Sequence, residues 1–234
     1  MEEFHGLSGN SFESLAEIPR HGYRGELFPD FAVQDKPGIS LCISREYGAR
    51  GGSIGRMLAK KLGWQVYDHE ILQYMASHQA VVQELNTLIS PSIKDWVDFN
   101  WSELTQKNIV NPNSDFENFA KIILSLGYLG KTVFVGAGAG LLLPRECRLH
   151  VRVVSPMEDR IAYISQYDRC TKQVATQKVI FNDQKRLEYI KKNFPSLKQD
   201  PFDFDLLMNS SALGEDCCVQ VINQVIRNKY PALI

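Results

Sequence analysis

The sequence predicts an α/β protein: a parallel sheet of about five strands with helices on both faces. Three observations carry that expectation. Short apolar runs alternate with helical stretches along most of the chain, which is the pattern of a parallel sheet. Runs such as "GISLCIS" are apolar almost without interruption, as suits a strand buried on both faces. The first strand also runs straight into a glycine-rich turn and a helix, "SREYGARGGSIGRMLAKKLG", an order that brings free N–H groups and a helix N-terminus together.

The elements follow in order. Residues 1–37 carry Gly, Pro, Ser and charge without periodicity and read as an irregular extension. The first strand is 38–44. "SIGRMLAKKLG" is a helix that Ser53 opens and Gly63 stops. "WQVYD" (64–68) is the second strand and "HEILQYMASH" the second helix. Residues 79–116 hold Trp96, Phe99 and Trp101, several Asn and a surplus of acids with weak periodicity. They read as an inserted, partly helical subdomain that the tryptophans anchor. "FENFAKIILSLGYLG" (116–130) is an amphipathic helix with a glycine stop. Strands over 131–140 and 148–156 follow, then a helix over 157–168. A longer helical region covers 171–194, with a break expected near Asn182. A last strand at 204–211 and a last helix close the chain.

Composition narrows the function. A net charge of −1 gives no global basic field for nucleic acid. No apolar stretch reaches the ~18 residues of a membrane helix. The acidic N-terminus is not that of a secretory signal, and the five scattered cysteines read as free thiols. A cytoplasmic protein without a zinc site is expected, with homo-oligomerisation left open.

In a parallel sheet of this kind, ligands bind beyond the carboxyl ends of the strands. Four stretches then meet at one edge: 45–53, 68–70, 136–140 and the segment after 155. In the first, Gly48, Gly51 and Gly52 let N–H groups turn toward an anion, Ser53 can cap the helix or hold magnesium on a phosphate, and Arg45 and Arg50 supply charge. A plain strand-to-helix turn with solvated arginines fits the same glycines. Asp68 can position an acceptor or simply cap the helix that begins at His69. Between 171 and 198, Lys172, Lys178, Lys185, Arg186, Lys191, Lys192 and Lys198 face only Asp183 and Glu188. That stretch is a closing lid over phosphates or a solvated helix face.

Several motifs tip these choices. "ISREYGARGGSIGRMLAKKLGWQVYDHEIL" resembles the N-terminal signature of the cytidylate kinase-like family of P-loop proteins, I-S-R-x-[FY]-G-S-G-G-R-x-I-A followed by L-G and Y-D-x-E. "VFVGAGAGLLLP" is similar to its G-R-[GD] turn, "LHVRVVSPMEDRIAYI" to its fourth strand and following helix, "NDQKRLEYIKKNF" to its lid signature D-x-x-R-x-x-Y, and "DFDLLMNSSALG" to its closing strand. The resemblance covers roughly 38–228. It implies a three-layer α/β/α P-loop fold over 38–230, with an acceptor-side insertion at 79–116 and a helical lid at 171–198.

It further implies ATP and Mg2+ as cofactors and a CMP-like nucleotide as acceptor. Arg45, Gly48, Gly51, Gly52, Ser53 and Arg160 would hold the donor, with Ser53 on the metal. Asp68, Gly136 and Lys191 would lie on the acceptor side, and Arg50 and Arg186 would serve transfer, with Asp183 orienting Arg186. The sequence departs from the family in two places. Gly52 precedes Ser53 where the family has an arginine after its glycines, and the turn Gly136-Ala137-Gly138 lacks the Arg and Asp of true cytidylate kinases. Phosphoryl transfer depends on positioning and charge neutralisation, so three readings stand: a nucleotide kinase, a nucleotide-binding or sensing protein with weak or no catalysis, and a kinase of another small molecule.

Overall fold

Parallel strands form the frame: β1 Ser40–Arg45, β2 Gln65–Asp68, β3 Thr132–Val135, β4 Arg148–Val154 and β5 Leu206–Asn209, in the spatial order β2-β3-β1-β4-β5. The computed structural model describes residues 28, 36–197 and 200–231. Of the expected extension over 1–37, only Phe28, Lys36 and Pro37 are among them, and Lys198 of the basic stretch lies outside them. The helices among the described residues are α1 Gly51–Leu62, α2 His69–Ser77, α3 Gln79–Leu88, α4 Pro91–Gln106, α5 Ser114–Leu129, α6 Ala139–Leu142, α7 Met157–Tyr167, α8 Lys172–Asn193, α9 Ser210–Leu213 and α10 Glu215–Lys229.

Strand alternation divides the core into two layers. Leu41, Ile43, Val133, Val135, Leu149, Val151 and Val153 turn to one face, where Ile54 and Leu58 of α1 and Ile222 and Ile226 of α10 cover them. The other face carries larger and more polar groups, including Tyr67, Phe134 and His150, under α2, α5 and α6. Its buried hydroxyls satisfy one another: Ser40 Oγ lies 2.7 Å from Thr132 Oγ1. The expected fold, a parallel sheet with helices on both sides, is the one observed.

The stretch 79–116 is more helical than its weak periodicity suggested. Pro91 at the first turn and a Ser90 cap on Ile93 N start α4, and Asn113 caps α5. Trp101 and Trp96 pack on Phe116 and Tyr128 of α5, with ring centroids 6.3 and 5.2 Å apart.

The break expected near Asn182 does not occur, and α8 runs unbroken from Lys172 to Asn193. Thr171 caps it by accepting from Val174 N. Asn182 donates its amide to Lys178 O at 2.8 Å, inside the helix, so it does not compete with the backbone elsewhere. Ala175 and Val179 bury the first half of α8 against Ile161 and Ile164 of α7 and against Tyr47. Phe194, just past its end, packs on Phe116 of α5. Thus α8 reaches from α7 to α5 past the carboxyl edge of the sheet.

The junction between α5 and β3 needs a glycine. Gly130 has φ +69 and ψ −167, a region that side chains avoid, and a Cβ there would lie 2.7 Å from Gly38 Cα. Gly130→Ala is expected to lower unfolding free energy by about 1–3 kcal/mol from backbone conformation alone, with the displaced Gly38 backbone adding to it. A urea denaturation midpoint compared with wild type measures this.

Candidate active site

Strand register brings the candidate residues to one edge. Ile43 pairs with Val135, Asp68 with Val135, Arg45 with Val153, and Val154 with Asn209. The turn after β1, the start of α2, the turn after β3 and the start of α7 therefore share the carboxyl end of the sheet, where such sheets bind ligands.

The glycine-rich turn is held from outside and leaves its inner side open. Glu46 N bonds Val153 O, Ser210 Oγ donates to Ala49 O at 2.9 Å, and Arg160 Nη1 donates to Tyr47 O at 3.2 Å. The helix begins at Gly51, two residues before Ser53, because Arg50 adopts the left-handed conformation at φ 62 and turns the chain. Among the described residues, the N–H groups of Gly48, Gly51, Gly52 and Ser53 have no acceptor, and neither has the half-buried Ser53 hydroxyl. Free amides at a helix N-terminus form an anion cradle, and the helix dipole adds to it.

Two arginines complete a cationic site. The Arg45 side chain starts against Gly51, and its guanidinium lies against Gly136 in the space that a Cβ there would fill. Gly136, at φ +80, is thus required by both conformation and room. Among the described residues Arg45 makes no hydrogen bond or ion pair. Arg186 reaches in from α8 with its guanidinium 5.4 Å from the Tyr47 ring centre. Its Nη1 is buried without a hydrogen bond, and the nearest Asp183 oxygen is 4.0 Å away. Burial, and then the Arg186 charge, push the Arg45 guanidinium down to about 10, and burial also lowers Arg186. Both stay charged at neutral pH, and the Arg186 charge disfavours that of Arg45.

The other candidates take different places. Asp183 receives Tyr47 N at 2.8 Å and the Arg160 guanidinium, so it mainly fastens α8 to the glycine turn. Arg160 is buried and also meets Glu46 Oε2 at 3.6 Å and Ser155 O at 3.1 Å. It braces the turn, and its backbone lies against Gly48. Arg50 points toward α10 and α7, 3.8 Å from Glu215 Oε1 and 5.1 Å from the Tyr163 ring centre. Asp68 caps α2, accepting from Ile71 N at 3.0 Å, while its charge favours the protonated form of Arg45. Lys191 is exposed, without a hydrogen bond or ion pair among the described residues.

Tyr47, His69, Tyr189 and Phe194 also belong to this region, and sequence reasoning assigned them no role. Tyr189 continues the spacing of Asp183 and Arg186 on one helix face, which was the available signal. Its hydroxyl donates to Ala137 O at 3.1 Å, and its ring meets His69 edge-on at 5.2 Å. Phe194 fills the space at Gly138, where a Cβ would lie 2.6 Å from the ring. The missing charges of this turn have therefore left no gap: Phe194 closes on Gly138, and Ala137 is buried.

At the strand ends of this parallel α/β protein, open helix-start amides lie near two guanidinium groups that lack a hydrogen-bonded carboxylate, an arrangement that suits an anion. The particular family follows from comparison. The family model of the cytidylate kinase-like family matches residues 40–212, well over half of the chain, and the chain belongs to that family. An uncharacterized protein from Eubacterium ventriosum ATCC 27560 shares the fold, with a TM-score of 0.56 and 15% identity over 81% of this chain and 98% of that one. Shikimate kinase from Bacteroides thetaiotaomicron superposes with a TM-score of 0.42 and 11% identity over 81% of this chain and 98% of that one. TT1252 from Thermus thermophilus superposes with a TM-score of 0.45 and 14% identity over 83% and 99%. Both likenesses are too weak to carry anything further. Among curated proteins there is no match.

Gly138→Asp, which supplies the acid found in true cytidylate kinases, is expected to lower the melting temperature by several degrees. Its Cβ meets Phe194, and position 138 lies at φ +75. Differential scanning calorimetry reads the shift, and Ala137→Gly, with no added atoms, should melt close to wild type.

Proposed function

We propose that this chain moves the γ-phosphoryl group of ATP to a nucleoside monophosphate, CMP or a similar nucleotide, with Mg2+. The observation that carries this reading is the pair Arg45 and Arg186, two half-buried guanidinium groups without an anionic partner within hydrogen-bonding reach, beside the free amides at the start of α1. Charge drawn partly out of water without a hydrogen-bonded anion is costly, so such a pair suits an anionic ligand. The donor set fits the cofactors. Amides of Gly48, Gly51, Gly52 and Ser53 suit nucleotide phosphates, and the free Ser53 hydroxyl suits a magnesium ion held on them. When bound, the metal would neutralise charge on the transferring phosphoryl group.

The roles of the chain's own residues follow. The loop amides hold the donor. Arg186 and Arg45 neutralise charge that spreads over the equatorial oxygens, where a fixed cation acts most strongly in a water-poor site. Asp183 and Arg160 fix the loop against α8, and Tyr189 fixes α8 against the turn after β3. Asp68 and Gly136 shape the acceptor side, and Lys191 is free to meet an acceptor from α8. Arg50, drawn toward Tyr163 and Glu215, steadies the outer wall of the donor site. The stretch 171–198 is the lid, and 79–116 is the acceptor-side insertion. The free cysteines suit a reducing, cytoplasmic setting.

A second reading rests on Ala137 and Phe194. With no arginine or acid in the turn after β3 and an aromatic ring in that space, the chain can bind nucleotide without fast transfer. A kinase of another small acceptor is the third. ADP release measured over a panel of nucleoside monophosphates and small alcohols separates them. Stimulation by CMP or a similar nucleotide supports the proposal, stimulation only by a non-nucleotide supports the third reading, and ATP binding without stimulation supports the second.

Arg186→Ala is expected to lower kcat by about 100-fold or more while changing ATP affinity much less, as for a group needed chiefly in the transition state. Single-turnover kinetics beside equilibrium ATP binding check this. An unchanged rate in an active wild-type background contradicts the role given to Arg186.

A further inference from the structure

His69 occupies a defined place that no motif explains. The register of β2, β3 and β1 sets Asp68, Val135 and Ile43 level, so His69 follows at the height of Gly136, the residue that makes room for Arg45. Its half-buried ring is gripped by Tyr189 of α8 at 5.2 Å and by Phe119 of α5 at 5.5 Å. Tyr189 is itself pinned to Ala137 O. Among the described residues, neither ring nitrogen of His69 has a hydrogen-bond partner.

His150 shows the contrast. It is fully buried on β4, and both of its ring nitrogens are used, Nε2 with Ser44 Oγ at 2.8 Å and Nδ1 with Asp203 O at 3.1 Å. Burial pushes it down to about 3, so it is a neutral structural residue. An imidazole oriented by two rings but left without polar partners is instead disposed toward a ligand.

We infer that the His69 imidazole is a hydrogen-bonding ligand of the phosphate that Arg45 and Arg186 attract, and that binding this phosphate draws a proton onto His69. The inference rests on the anion site of the preceding reading. The groups facing His69 are Asp68 and Glu70 beside it in sequence, Arg45 from β1, and Arg186 with the Tyr189 phenol from α8, while α5 offers only Phe119. Burial lowers its proton affinity first. Arg45 and Arg186 lower it further, and Glu70 and Asp68 oppose them. The Tyr189 phenol is raised by burial and stays neutral. An anion between the arginines offsets their effect and attracts the imidazolium directly, so the folded-state pKa of His69 rises on binding. Phosphate affinity should then grow as pH falls from above the bound value toward the free value.

The test is a proton NMR titration of the His69 Cε1–H in the full chain, free, with inorganic pyrophosphate and with CMP. His69→Gln assigns the signal. The free midpoint should lie below 6.5, the ordinary histidine value, and either ligand should raise it by about one pH unit. Calorimetry of the wild type near pH 6 in two buffers of different ionisation heat should show proton uptake, a readout that needs no variant. His69→Gln keeps a hydrogen-bonding side chain without the titration, so the uptake left in it belongs to the phosphate itself. A ligand that binds without moving the His69 midpoint overturns the inference and leaves the proposed function standing. Pyrophosphate moving the midpoint while CMP does not bind supports the inference and contradicts a CMP-like acceptor. If neither ligand binds, both are overturned.

Discussion

The carboxylate of Asp183 holds the site together. It comes from the middle of α8 and accepts from Tyr47 N, 136 residues earlier in the chain, and from the buried Arg160 guanidinium. Through it α8 is fastened to the glycine turn, and Arg186, one helical turn further on, is placed beside Arg45. Arg160 adds the second brace, since it also meets Ser155 O, Tyr47 O and Glu46. A buried guanidinium with several acceptors is stabilising only while its acceptors remain, so the loop and α8 depend on each other. The same pairing explains why the glycine turn can leave its inner amides free, because its outer side is already tied.

That arrangement divides the arginines into two kinds. Arg160 is saturated and belongs to the frame. Arg45 and Arg186 lack anionic partners within hydrogen-bonding reach, and burial lowers the proton affinity of both, with the Arg186 charge adding to the effect on Arg45. Stability would be better served by neutral side chains there. Their place beside free N–H groups is what the proposed phosphate site rests on. The turn after β3 limits the chemistry from the other side. Three consecutive residues at positive φ, Gly136, Ala137 and Gly138, let Arg45 and Phe194 close on it, leaving little room for the Arg and Asp found in true cytidylate kinases.

Much of this was legible in the sequence. The apolar runs and the glycine turn after β1 give the sheet and its functional edge, and the spacing of Asp183, Arg186 and Tyr189 puts them on one helix face. What was not legible is which group meets which across long separations. Asp183 lies three residues from Arg186, which suggests a local pair, yet its close partners are on the loop and on α7. Arg50 lies inside the glycine turn, but its left-handed backbone sends the side chain toward Glu215. Asn182 has low helix propensity and suggested a break, while packing of Ala175 and Val179 carries the helix through. His69 reads from sequence only as the first residue of a helix, because its significance lies in two rings from distant elements and in the absence of a polar partner.

The most direct test of the account is a crystal structure of the protein grown in inorganic pyrophosphate. The account predicts an anion beside the amides of Gly51–Ser53, with an oxygen within hydrogen-bonding distance of Arg186 Nη1 and another near the Arg45 guanidinium. A pyrophosphate bound elsewhere, with Arg45 and Arg186 still lacking an anionic partner, would contradict it.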